Sequence, residues 1–260
     1  MIDLLLYVPH AEISEKYIDE AYSSLVRPGS ISKELLTRYM LHEADRGAYE
    51  IALATQGVLS HLSPDLRVEV ISVPVPRAFC DLNRPWERGV PSALRSEIYQ
   101  ERYLAQIESD RKAHMKAKST IHIHTMCGRS PIMPWAFTEH TTEGDMERFL
   151  NTCYSGDDRH IDLLTHTDDG EQVADLEFAE KIGFIYRQAA HRVDQNRAYQ
   201  LKSGYPATEL MRSCSSVLIE YPKNLLATEE TAHCIDTSQI VLDTAKIERM
   251  GRMLAEGIVK

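Results

Sequence analysis

The stretch Thr120-Ile121-His122-Ile123-His124-Thr125-Met126 decides the reading of this chain. Isoleucines alternate with imidazoles, so a strand here turns His122 and His124 to one face and Ile121 and Ile123 to the other. Short apolar, β-prone runs of the same length recur at Leu4–Val8, Arg67–Val73, Ile161–Thr165 and Ser216–Tyr221. Between and after them, apolar residues recur at three- and four-residue steps over Ser32–Leu59, Leu94–Lys118, Gln172–His191 and Thr244–Val259. Strands alternating with helices predict an α/β fold: a mixed, mostly parallel sheet with helices on both faces. No repeat, low-complexity tract or Gly/Ser-rich linker divides residues 1–260, which predicts a single domain. The polar stretch Thr138–Asp158 and the stretch Asn196–Pro206 read as long loops framing a site.

With 29 Lys and Arg against 39 Asp and Glu the chain carries a formal net charge of −10, which argues against nucleic acid as a partner. The longest apolar runs, such as Ile2 to Val8, are far too short to span a bilayer. The opening Met1-Ile2-Asp3 has neither the basic flank nor the cleavage site of a secretory signal, so a cytoplasmic location is expected. Five scattered cysteines without CxxC spacing point to reduced thiols rather than disulfides or a zinc ribbon.

Three segments put polar residues at the end of an apolar strand, where open α/β sheets bind ligands. In Tyr7-Val8-Pro9-His10, Pro9 ends the strand and an imidazole follows, either as a ligand or as a hydrogen-bonded loop residue. His122 and His124 share a face, as metal ligands or as a hydrogen-bonded pair. After the strand Arg67–Val73 comes Arg77-Ala78-Phe79-Cys80-Asp81-Leu82-Asn83-Arg84, whose guanidiniums beside an amide suit a carboxylate, surface Arg–Asp pairing being the alternative.

The run Asp81-Leu82-Asn83-Arg84, preceded by Arg77, with Pro9-His10 upstream and His124-Thr125-Met126 downstream, resembles the N-formylglutamate amidohydrolase family. That family is related to the aspartoacylase and succinylglutamate desuccinylase group and to the zinc carboxypeptidases. The resemblance runs in islands from His10 to about Glu220. It implies a zinc-carboxypeptidase-like fold (phosphorylase/hydrolase-like), with His10 and His124 as zinc ligands. Asp45 in Ala44-Asp45-Arg46 best fits the carboxylate ligand, with Glu12 and Glu43 as rivals. Manganese or iron would suit the same donors. Arg84 and Asn83 would hold a substrate carboxylate, with Asn196 and Tyr199 as further substrate-binding residues, and Arg77 would polarise the scissile carbonyl. Glu220, ending the strand Ser216–Glu220, would be the general base, the alternative being a solvent-facing acid. Two departures stand out: His122 where the family commonly has Asp, and a loop Asn196–Tyr205 with one glycine and the basic Arg197 and Lys202.

The implied activity is hydrolysis of an amide in a small, anionic N-formyl or N-acyl amino acid. The alternatives are a carboxypeptidase-like peptidase or deacylase on a peptide-derived substrate, and a non-catalytic carboxylate-binding protein. A barrel amidohydrolase, suggested by His122-x-His124, is disfavoured because that pair lies mid-chain among too few strands.

Overall fold

A computed structural model of the chain describes residues 2–11, 13–94 and 97–260; Glu12 therefore lies outside the described residues. The strands are β1 (Ile2–Val8), β2 (Val68–Ser72), β3 (Ala117–Met126), β4 (Ile161–Leu164), β5 (Val193–Gln195) and β6 (Ser215–Pro222). They form one sheet in the order β2-β1-β3-β6-β4-β5. The pairs β1 with β2, β1 with β3, β3 with β6 and β4 with β5 are parallel; β4 runs antiparallel to β6. The expected mixed, mostly parallel sheet is observed, and the five strands read from the sequence match β1 to β4 and β6 within a few residues. β5 was not expected, since three residues carry no periodicity.

Helices cover both faces, as expected: α1 (Glu15–Ser24), α2 (Lys33–Glu43), α3 (Ala48–Leu62), α4 (Trp86–Gly89) and α5 (Glu97–His114) in the first half. The second half supplies α6 (Glu143–Thr152), α7 (Leu176–Gln188), α8 (Pro206–Met211) and α9 (Thr244–Val259). None of the described helices is long and apolar enough to cross a membrane.

The two faces of the sheet differ in character because side chains alternate along each strand. Leu4, Leu6, Val8, Ile121, Ile123, Val217 and Ile219 pack against α3, α7 and α9 in a fully apolar layer. The opposite face begins apolar at Leu5 but then carries Tyr7, His122, His124 and Glu220, all buried. Burying so many polar groups is unfavourable unless they are paired, which marks this face as the candidate site.

Two expectations are corrected. The single helix Ser32–Leu59 is two, α2 and α3, with Ala44 extended and Gly47 left-handed at φ 91° between them. The expected loop Thr138–Asp158 contains α6, started by a capping box in which Thr142 Oγ1 accepts from Asp145 N–H (3.2 Å) and Asp145 Oδ2 accepts from Thr142 N–H (3.1 Å). α1 and α8 also form in segments to which no periodicity was assigned.

Candidate metal centre and active site

The parallel strands β1, β3 and β6 end at one rim, and each delivers a polar residue there. Pro9 stops β1 and leaves His10 fully buried just beyond it. His124 lies near the end of β3 and pairs in register with Glu220 of β6. The carboxylate comes from the break between α2 and α3, where the Asp45 backbone N–H donates to the His10 carbonyl (3.0 Å) and so fixes the turn against the strand.

Asp45 Oδ2 lies 2.8 Å from His124 Nδ1 and 3.7 Å from His10 Nδ1. One ligand atom from each of the three residues falls within 4.8 Å of the others, and all three side chains are buried. Neither ring nitrogen of His10 has a hydrogen-bond partner, nor does His124 Nε2. Unpartnered buried nitrogens beside a carboxylate fit a divalent cation with N and O ligands, of which zinc is one. Asp81 Oδ1 lies 3.5 Å from His10 Nε2, the place of the carboxylate that orients a metal-binding imidazole. The remaining rival, Glu43, stands outside this group and lines a neighbouring cavity.

Arg77 joins the cluster from the segment after β2, its Nη1 3.3 Å from Asp45 Oδ1 and its Nε 3.7 Å from Asp81 Oδ2. Burial works against its charge, but Asp81 and Asp45 outweigh that and keep it a cation. Burial also opposes ionisation of Asp45, yet the two imidazoles and Arg77 hold its carboxyl well below the usual range. Glu220 goes the other way. Burial, with Asp45 adding to it against His124, Arg77 and Arg159, pushes its carboxyl up to about 7, and its Oε2 has no hydrogen bond.

Glu220 and Arg77 open onto a cavity of about 360 Å³, whose rim carries Asn83, Arg84, Arg88 and Lys202. Arg84 Nε is paired with Asp81 Oδ2 at 3.0 Å, and Asp81 Oδ1 accepts the Asn83 backbone N–H at 3.0 Å, so the Asp81–Arg84 run folds around its own acid. Tyr199 lines the same cavity. Asn196 does not: its Oδ1 accepts from the Thr165 and His166 amides (2.7 and 3.1 Å) and its Nδ2 donates to Thr165 Oγ1 (2.9 Å). It holds the start of the loop that carries Tyr199, at a left-handed φ of 54°.

Two residues that no sequence pattern marks, Asp162 and Arg159, complete the site. Asp162, opposite Glu220 in register, accepts the Arg197 and Ala198 amides (2.9 and 2.6 Å) and so folds the loop back over the sheet. Arg159 stacks over the Tyr199 ring at 4.7 Å and donates from Nη1 to its hydroxyl at 3.1 Å. Because β4 is antiparallel to β6, Arg159 precedes a strand yet lies at the rim where the others end. His122, on the same face as His124, pairs instead with His114, its Nε2 3.0 Å from His114 Nε2.

No family model and no curated protein sequence matches this chain. Solved structures do. The N-formylglutamate amidohydrolase of Ralstonia eutropha JMP134 aligns over 99% of this chain and 94% of its own, with a TM-score of 0.56 and 15% identity. This chain folds like an N-formylglutamate amidohydrolase. The gene product Atu2144 of Agrobacterium tumefaciens aligns over 97% of this chain and 90% of its own, at a TM-score of 0.52 and 19% identity. At such identities the likeness to the amidohydrolase is one of fold.

Proposed function

We propose that this chain, as one catalytic domain, is a metal-dependent hydrolase that cleaves the amide bond of a small carboxylate-bearing substrate such as an N-formyl or N-acyl amino acid. The observation that carries this reading is the convergence of His10, Asp45 and His124 on one point, with Glu220 beside His124 in the sheet and Arg77 on Asp45. The fold shared with a solved N-formylglutamate amidohydrolase supports the same class.

His10, Asp45 and His124 would hold the ion, zinc or another divalent metal. Lewis acidity toward an amide carbonyl and toward water is the chemistry such an ion supplies when bound. Glu220, with a carboxyl near neutrality, takes a proton from the attacking water and delivers it to the leaving nitrogen. The Arg77 guanidinium lies where negative charge develops on the carbonyl oxygen. Arg84 and Asn83 bind the substrate carboxylate, with Arg88 and Lys202 adding positive charge at the mouth of an otherwise acidic protein. Tyr199, fixed by Arg159, bounds the space above Glu220, which positions the amide and excludes water.

A second cavity, about 490 Å³, shares Arg77, Arg84 and Tyr199 with the first and is walled by Trp135, Phe137 and Tyr154. That space favours a substrate whose acyl or side-chain group is bulkier than formyl, the deacylase reading.

Elemental analysis beside hydrolysis of N-formylglutamate and a panel of N-acyl amino acids tests the proposal. We expect stoichiometric metal in the native protein, its loss in His124→Ala, and its retention in Glu220→Gln with turnover lowered about 10²- to 10⁴-fold. Normal turnover in Glu220→Gln, or full activity without metal, would sink it.

A further inference from the structure

A second buried cluster lies at the end of β3, and the hydrolysis above makes no use of it. Cys127 follows the last residue of β3, and its Sγ is 3.4 Å from His42 Nε2 near the end of α2. On the other side of that ring the Thr237 backbone N–H donates to His42 Nδ1 (3.1 Å), with Asp236 Oδ1 at 3.5 Å. A backbone amide does not surrender its hydrogen, so Nδ1 is the acceptor, the ring hydrogen sits on Nε2, and it points at the sulfur. His42 therefore stabilises a thiolate as a donor rather than removing the thiol proton as a base.

Lys223 supports the same charge state. Only 2% exposed, it donates from Nζ to the His42 carbonyl (2.5 Å) and to Thr237 Oγ1 (3.3 Å), both neutral, and no carboxylate among the described residues forms an ion pair with it. A buried ammonium needs a nearby anion. Burial brings the lysine below its ordinary range, and Cys127, ahead of Asp45 and Glu43, works against that fall. Burial likewise opposes ionisation of Cys127, but His42 and Lys223 outweigh it and bring the thiol below its ordinary range. The other buried cysteines lack such partners: burial pushes Cys80 up to about 12 and raises Cys153.

Cys127 lines a cavity of about 480 Å³ separate from the two lined by Arg77, though it shares Tyr154 with the second. Its wall holds Arg159, His160 and His233, together with Arg129 paired to Asp158 at 3.2 Å and the acid Glu229. We propose that Cys127 is a nucleophilic thiolate and a site of thiol–disulfide exchange with small disulfides that carry carboxylates. The Cys127 sulfur attacks one sulfur of the disulfide; a new S–S bond forms, the old one breaks, and the other half leaves as a thiolate that takes a proton from solvent. Arg159, His160 and His233, which form no ion pair with a carboxylate among the described residues, receive the carboxylates of the bound half. The adduct takes the place of the sulfur's contact with His42, three residues before Asp45 in the chain.

The test is a brief exposure of the purified protein to glutathione disulfide at neutral pH, with the adduct sites mapped by mass spectrometry of peptides. The first adduct should form on Cys127, ahead of the more exposed Cys214 and Cys234. It should be missing in Cys127→Ser, and should form about tenfold more slowly in His42→Gln and in Lys223→Met. Thiolate ultraviolet absorbance should be present in the native protein and drop in Cys127→Ser. Adducts on Cys214 or Cys234 before Cys127, or no thiolate signal attributable to Cys127, would overturn the proposal. The order of adduct formation is read on the wild-type protein, and the absorbance needs only Cys127→Ser beside it, so both hold even if the His42 and Lys223 variants fail to fold.

Discussion

Asp45 is the residue on which most of the site leans, touching His124, His10 and Arg77 with no surface exposed to solvent. Asp45→Asn keeps the shape but removes the charge, and we expect metal affinity to fall more than about tenfold by titration with a chelator. Asp110 offers a separate check away from the metal. Buried beneath β1, it accepts from Tyr7 Oη (2.7 Å) and Gln106 Nε2 (2.7 Å), yet burial outweighs both and pushes its carboxyl up to about 6 from 3.8. The native state then holds this proton more tightly than the unfolded chain, so stability contributed by the protonated acid is lost as pH rises from about 4 to about 6. Asp110→Asn should flatten that fall and gain up to about 3 kcal/mol at neutral pH, measured by denaturant unfolding across the range. His10, His124 and Glu220 could be placed by sequence because each closes an apolar run. Arg159 and Asp162 could not, since their role depends on β4 being reversed, and nothing within Ile161–Leu164 announces a direction.

The break between α2 and α3 shows what periodicity alone conceals. Apolar spacing continues through Ser32–Leu59, but Gly47 adopts φ 91° and a Cβ there would approach Leu226 Cδ1 to 2.8 Å. Gly47→Ala combines left-handed strain with that clash, and we expect a loss of at least about 1–2 kcal/mol together with weaker metal retention, because the turn carries Asp45. A contrasting glycine sits where α9 crosses α3. At Gly251 a Cβ would lie 2.6 Å from Ala54 Cβ and 3.0 Å from the Ile51 carbonyl. Alanine improves helix propensity by about 1 kcal/mol, but overpacking against backbone costs about 1–3 kcal/mol. Gly251→Ala should therefore lower Tm by a few degrees. The α6 start was in fact written in the sequence, as Thr142-Glu143-Gly144-Asp145, and polarity of the surrounding residues masked it.

For the whole molecule, an ion bound to the native state alone raises its stability by mass action. At free metal about 100 times Kd the gain is about 2.7 kcal/mol. Adding a chelator should lower Tm and zinc should restore it, whereas His124→Ala should show neither response. An unchanged Tm in the wild type would count against a resident ion. The proposed ligands come from separate parts of the chain: Asp45 and His124 meet across 79 residues, and Glu220 reaches them through the pairing of β6 with β3. Contacts of such long range form late, after local helices and much of the sheet have assembled. Nascent chain leaving the ribosome thus has no finished cradle to capture an ion. On the proposed function loading follows folding, and overproduction in metal-starved cells should yield a well-folded apoprotein that can be activated afterwards in the test tube.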